Sequence, residues 1–264
     1  MAKNELINKK VVLVTGASSN LGKIIVSYLP TTEMTIYAGY NSGKLFFKSN
    51  DVIPIKINVT DLISIKSAIK QVLKYNGKID VLINCAGVSK AGKMEDSTIE
   101  DFDKLLDVNT KGAYRMIHAV LPIMKKQKSG KIINITSMSG LIAFPNFGIY
   151  SASKFALEAF TTSLRYEVVK DNIWVTNIEP GAITSESNKK VTMPHKTFRE
   201  KYLLARLILP LVHPSEIASR VEEVVNLDRP PANVLVGRDI KIANFAKRIL
   251  PTFVWDRLLQ IALS

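Results

Sequence analysis

Short, largely apolar runs alternate along this chain with longer stretches in which apolar positions recur every three or four residues. The runs are Val11 to Thr15, Met34 to Tyr40, Val52 to Val59, Ile79 to Cys85, Lys131 to Ser137, Ile173 to Ile178 and Val234 to Val236. Their length and β-branched content predict strands buried on both faces, as in a parallel sheet. Helical stretches fall between them at Lys23 to Leu29, Asp61 to Tyr75 and Pro214 to Asn226. A long one spans Ile99 to Lys128, with an interruption near Asn109 and a bend at Pro122. Another has Tyr150 and Lys154 at its first turn and Phe155, Ala159, Leu164 and Val168 as its recurrent apolar positions. Strand and helix in alternation predict an α/β fold with right-handed crossovers and a doubly wound parallel sheet. The 264 residues fit a single domain able to bury a full core. Within it, 182 to 213 shows no clear strand and reads as a substrate lid containing the apolar stretch Leu203 to Leu209, and 240 to 264 reads as a helical extension.

Two places in this frame carry chemistry. The first strand runs into Gly16-Ala17-Ser18-Ser19-Asn20-Leu21-Gly22 and then a helix. Strand, glycine turn and helix N-terminus together suit a dinucleotide pyrophosphate, as in a Rossmann fold. In the second place, Ser137 ends a predicted strand at the sheet edge where open α/β folds bind ligands. Tyr150 and Lys154, four residues apart on a helix, share one face, so an ammonium beside the phenol favours negative charge on its oxygen. A tyrosine so placed exchanges a proton with a carbonyl or alcohol oxygen. Tyr-x-x-x-Lys alone reads as a core tyrosine and a surface lysine; Ser137 beside it changes the reading.

Composition narrows the alternatives. With 47% hydrophobic and 22% charged residues the chain is a folded globular protein. The lone Cys85 rules out an internal disulfide, only three histidines argue against a metal cluster, and a reducing, cytoplasmic setting is expected. The net charge of +13 raises nucleic acid as a partner, but the lysines are scattered and no groove-reading motif accompanies them. The densest group, Lys125-Lys126-Gln127-Lys128, falls at a predicted helix C-terminus, where cations complement the macrodipole.

Taken in order, the motifs resemble the short-chain dehydrogenase/reductase family from about Lys9 to Val236. Thr15 to Gly22 matches its Thr-Gly-x-x-x-Gly-x-Gly turn, Asn84-Cys85-Ala86-Gly87 its Asn-x-Ala-Gly, and Pro180-Gly181-Ala182-Ile183-Thr184 its Pro-Gly-x-x-x-Thr. Asn109, Ser137, Tyr150 and Lys154 follow the family's order. The resemblance implies hydride transfer between NAD(P)(H) and a carbonyl or secondary alcohol. In that reading Tyr150 transfers the proton, Ser137 bonds the reacting oxygen, Lys154 supports the tyrosine and the nicotinamide ribose, and Asn109 anchors a relaying water. It further implies cofactor contacts from Thr15, Gly16, Ser18, Ser19, Asn20, Leu21 and Gly22, from Tyr40, Asn41, Ser42 and Lys44, and from Asn58 and Val59. Asn84, Ala86, Gly87, Pro180, Gly181, Ile183 and Thr184 complete the set, and a homodimer or homotetramer is expected. An inactive nucleotide-binding scaffold has no need of the intact tetrad.

Two residues depart from the family pattern. Asn20 stands where glycine is usual, and asparagine tolerates the left-handed backbone conformation. Asn58 replaces an acidic residue and keeps an accepting amide oxygen. No carboxylate follows the second strand, where Ala38 to Lys44 offers Ser42 and Lys44, so NADP(H) is favoured over NAD(H). In the extension, Ile242, Phe245, Ala246 and Ile249 share a helix face away from Lys241, Lys247 and Arg248. That face is expected to cover the substrate pocket or a subunit contact; the other reading is peripheral contact with a membrane by the extension and the Leu203 to Leu209 stretch. Either way the substrate is expected to be apolar.

Overall fold

The computed structural model describes residues 9–43, 45, 49–184 and 211–263. Lys44 and most of the stretch read as a lid, including Leu203 to Leu209, therefore lie outside the described residues. Seven parallel strands form one sheet: β1 (Lys10–Thr15), β2 (Met34–Tyr40), β3 (Val52–Lys56), β4 (Val81–Asn84), β5 (Gly130–Ile135), β6 (Ile173–Pro180) and β7 (Asn233–Val236). Their order is β3-β2-β1-β4-β5-β6-β7. The helices are α1 (Asn20–Tyr28), α2 (Leu62–Asn76), α3 (Ile99–Leu105), α4 (Gly112–Gln127), α5 (Gly148–Val168), α6 (Pro214–Asn226), α7 (Arg238–Ile249) and α8 (Thr252–Leu263).

Alternation of side chains along each strand divides the core into two layers. On one side Val12, Val14, Ile36 and Ile133 meet Ile25 of α1 and Ile217 and Val221 of α6. On the other, Val11, Leu13, Tyr37 and Ile132 meet Ile65 of α2, Met116 and Val120 of α4, and Leu164 of α5. Both faces of the central strands are covered, as their largely apolar runs require. The strand order reverses on either side of β1, and the crevice beyond the ends of β1 and β4 is the switch point where such folds bind ligands.

Several boundaries differ from the sequence reading for local reasons. Strand β3 stops at Lys56 rather than Val59, because the Asn58 side chain accepts from the Thr60 N–H at 3.1 Å and turns the chain. Helix α1 begins at Asn20 rather than Lys23, since Ser19 Oγ caps it by accepting from the Gly22 N–H at 3.0 Å. Asn20 is thus helical, and the left-handed residue of the turn is Gly16, at φ +68°. The long helical stretch is interrupted where expected: α3 and α4 are joined by a wide π-helical turn, Leu106–Lys111, that contains Asn109. Helix α4 continues through Pro122 to Gln127. On α5 the core-facing line is Leu157, Thr161, Leu164 and Val168, whereas Phe155 and Ala159 are exposed. Its inner face also carries Ser153, Lys154 and Glu158, so apolar periodicity misplaced the buried side in the first half of the helix, at Phe155 and Ala159, and located it correctly at Leu164 and Val168.

The close packing of the turn against α1 yields a first prediction. A Cβ added at Gly22 would lie 2.2 Å from the Gly16 carbonyl oxygen and 2.9 Å from the Ala17 Cα, both backbone. Gly22→Ala should therefore destabilise the fold by about 1–3 kcal/mol, read as a lower urea midpoint, and should weaken nucleotide binding along with it.

Candidate active site

A cleft of about 1170 Å³ opens along the C-terminal edge of the sheet at this switch point. Gly16, Ser18 and Ser19 form one wall, Asn41 and Ser42 a second, Asn58 and Val59 a third, and Ala86 and Gly87 the floor towards β4. Nine of the residues expected to hold a dinucleotide are thus brought together. The other described ones lie around these walls. Thr15 Oγ1 accepts from the N–H groups of Cys85 and Ala86 at 3.1 and 3.2 Å, joining the glycine turn to the turn after β4. Tyr40 ends β2, Leu21 and Gly22 lie in the first turn of α1, and Asn20 there is exposed to solvent. Gly181 donates its N–H to Val236 O, while Ile183 pairs with Val212 and Thr184 donates to Val212 O, so Pro180 and its successors close the far side of the sheet edge.

The cleft fits a dinucleotide on its own evidence. The glycine turn leaves no room for side chains at Gly16, where a Cβ would come within 2.7 Å of Ala86 Cα, and it delivers the chain into a helix N-terminus. Asn84 Oδ1 is buried at the end of β4 and has no hydrogen-bond partner among the described residues. One expectation is corrected. Both lone pairs of Asn58 Oδ1 are taken, by the Thr60 N–H and by Thr60 Oγ1 at 2.8 Å, so Asn58 offers its amide N–H groups rather than an acceptor. A cation missed by the sequence reading also belongs here. Lys56 Nζ donates to the Asn41 carbonyl and lies 5.5 Å above the Tyr40 ring. The β2–β3 register, which sets Tyr40 opposite Lys56, places it there, and such pairings are not visible in a linear pattern.

The four polar residues expected to react converge around α5. Asn109 is buried in the π turn, donating through Nδ2 to Val88 O at 2.9 Å and to Ser153 Oγ at 3.0 Å, and accepting from the Val88 N–H at 2.8 Å. Thr110 Oγ1 donates to Ser153 O at 2.8 Å, and Ser153 Oγ in turn donates to Tyr150 O at 2.7 Å. Lys154 is buried; its Nζ donates to Ile135 O at 3.0 Å and lies 5.9 Å from the centroid of the Tyr150 ring. Ser137 follows β5, and its Oγ accepts from the Ser139 N–H at 3.1 Å, which leaves the hydroxyl hydrogen available to a ligand oxygen. Gly87 joins the two regions, since a Cβ there would meet Asn109 Oδ1 at 3.4 Å and Lys154 Nζ at 3.9 Å. Cys85 is inert, its thiol pushed up to about 11 by loss of solvation, against a smaller opposing pull from Lys154.

A doubly wound sheet, a glycine-lined cleft at its switch point and a Ser, Tyr and Lys group at the cleft's end define a nicotinamide-dependent oxidoreductase. The family model described as short chain dehydrogenase matches residues 10–196, and the chain belongs to that family, whose members act on CH–OH and C=O groups with NAD(P)(H). Among relatives, it is 32% identical over 264 aligned residues to a 3-ketodihydrosphingosine reductase of Bacteroides thetaiotaomicron, covering 96% of both chains. Among solved structures, it resembles a short-chain dehydrogenase of Streptomyces avermitilis at 26% identity and a TM-score of 0.79, covering 96% of this chain and 95% of that one. A short chain dehydrogenase of Burkholderia cenocepacia in complex with NADP matches at 25% identity and a TM-score of 0.80, with 96% and 98% covered.

Beneath the site lies a polar line that the apolar strand patterns had concealed. Asn84, Asn134 and Asn177 occupy matching positions on β4, β5 and β6. Asn84 Nδ2 donates to Asn134 Oδ1 at 2.8 Å, Asn134 Nδ2 to Thr161 Oγ1 at 3.0 Å, and Asn177 Nδ2 to Glu158 Oε2 at 2.5 Å. Glu158 and Glu179 are both buried. Burial raises the Glu158 carboxyl, and burial followed by repulsion from Glu158 raises Glu179 to about 8, with Arg165 and Arg248 pulling the other way. Glu179 therefore holds a proton in the folded protein that it releases near its ordinary value of 4.5 when unfolded. The native state binds more protons in that window. This contribution to stability is complete below about pH 4.5 and is lost as pH rises through about 8, by up to about 1.4 kcal/mol per pH unit. Glu179→Gln should flatten the dependence, measured as a urea midpoint that changes less between pH 6 and pH 8. A variant with the wild-type slope would mean that another group carries it.

Proposed function

We propose that this protein is an NADPH-dependent reductase of an apolar ketone, with Tyr150 as the proton donor. The observation that carries the reading is the approach of Lys154 and Asn109 to Gly87 in the lining of the glycine-walled cleft, with Tyr150 beside Lys154. The bound nicotinamide supplies the hydride. Tyr150 gives its hydroxyl proton to the substrate oxygen, and Ser137 donates a hydrogen bond to that oxygen. Lys154, held by the Ile135 carbonyl, sets its ammonium beside the Tyr150 ring. Both N–H groups of the Asn109 amide are engaged within the protein, so its chief contribution is to hold the turn bearing Val88 against α5. The intact set argues against an inactive scaffold.

Preference for NADP(H) is supported by the lack of a carboxylate on the cleft wall formed by Asn41 and Ser42, and by the Lys56 ammonium above Tyr40. The NADP-bound Burkholderia relative agrees with it. The apolar substrate is supported by the Bacteroides relative, whose name denotes reduction of a keto group on a long-chain amino alcohol.

Two experiments test the reading. With NADPH and a panel of hydrophobic ketones, loss of reduced-nicotinamide absorbance should show turnover, and Tyr150→Phe should lower it by about a thousandfold while leaving the NADPH dissociation constant nearly unchanged. Retention of wild-type rates by Tyr150→Phe would exclude it as the acid. Titrations with both reduced cofactors should show tighter binding of NADPH, and Lys56→Ala should weaken NADPH alone by about tenfold. Tighter NADH binding by the wild type would overturn the preference.

A further inference from the structure

We infer that α7 and α8 form a docking surface for an anionic lipid layer, set beside the mouth of the active site. Helix α7 is fixed to the body by one side. Ile240 is buried, Asp239 Oδ2 accepts from the Ala182 N–H at 2.7 Å, and Lys247 Nζ donates to the Leu141 carbonyl while lying 5.6 Å above the Phe155 ring. At 100° per residue, Ile242, Phe245 and Ile249 then point away from the protein. They are 56%, 65% and 61% exposed. The apolar face expected to cover the pocket is therefore turned outward, and Lys247, expected on the polar side, is the residue that reaches inward. After Pro251, α8 adds exposed Phe253, Leu258 and Ile261.

Charge identifies the occupant. Residues 238 to 263 carry five cations, Arg238, Lys241, Lys247, Arg248 and Arg257, against Asp239 and Asp256, and Asp239 is buried. Lys241 and Arg248 lie beside the Phe245 stripe on the helix surface. Packing the stripe against a second copy about a two-fold axis would set these cations against their own kind, whereas anionic headgroups would neutralise them while the stripe enters the acyl boundary. No helix among the described residues is long and apolar enough to cross a membrane, so the contact is made from one side. Its position suits delivery of an apolar substrate. One end of α7 holds Ala182, just after Pro180–Gly181, and the other holds Leu141, just after the Ser137 turn.

The test uses the full chain and vesicles of phosphatidylcholine with or without phosphatidylglycerol. Co-sedimentation should require phosphatidylglycerol and weaken as salt is raised. The double variant Lys241→Glu, Arg248→Glu and the single variant Phe245→Asp should each lower it by about tenfold with NADPH affinity unchanged. Failure of the wild type to sediment with anionic vesicles at low salt overturns the inference. So does a Phe245→Asp protein that sediments normally but changes from dimer to monomer in velocity sedimentation, which would assign the stripe to a second copy. The inference extends the apolar-substrate reading, yet its readout needs no substrate: vesicle binding without turnover of any hydrophobic ketone would defeat that reading and leave the surface standing.

Discussion

The geometry of the site depends on the attachment of the π turn to α5 at Ser153. Two bonds form it, Asn109 Nδ2 to Ser153 Oγ and Thr110 Oγ1 to Ser153 O. A regular α-helix from Ile99 to Gln127 would satisfy its own backbone but would present residue 109 at a different angle. The wide turn directs a buried amide at α5 instead, and such turns recur at functional sites for this reason. Arg115 braces it, reaching Asp107 Oδ1 at 2.6 Å and the carbonyls of Asp107 and Val59. Because Ser153 also bonds Tyr150 O and precedes Lys154, the same attachment sets the first two turns of α5, from which the two side chains proposed to react project.

Much of this was readable in the linear chain. The short, largely apolar and β-branched runs located all seven strands, because strands covered on both sides are mostly apolar, and glycines and asparagine marked the turn and the interruption. What escaped detection depends on partners distant in sequence. Lys56 gains its place from pairing with β2, and the outward stripe of α7 from anchors at Ala182 and Leu141. The buried side of α5 was misjudged because a helix that backs a reactive site has polar residues on its inner face. Asn58 was read as an acceptor because its bond to Thr60, only two residues on, is a choice of local conformation rather than of residue type.

The polar and apolar demands on the sheet are separated by depth. Along most of their length the strands carry mainly apolar residues on both faces, and the residues proposed for catalysis and nucleotide contact fall in the last residue or two and the turns beyond. Glu179, next to last in β6, and Glu158 of α5 add buried carboxyls at this same end, with Asn177 as the partner of Glu158. Their proton keeps two close carboxylates from both being charged in a poorly solvated place.

The pair formed by Asn84 and Asn134 also acts as a gauge of strand alignment. A parallel strand that slips by two residues, about 7 Å along its axis, returns every apolar side chain to its proper layer, so hydrophobic burial alone cannot reject the error. The slip would nevertheless separate Asn84 from Asn134, stranding buried amides at about 1–3 kcal/mol each. β4, β5 and β6 come together from chain segments separated by whole helices, and nothing as short as a hairpin dictates how they meet. Asn84 and Asn134, each poorly suited to an interior, give the assembling chain a way to distinguish the working alignment of β4 and β5 from its near copies.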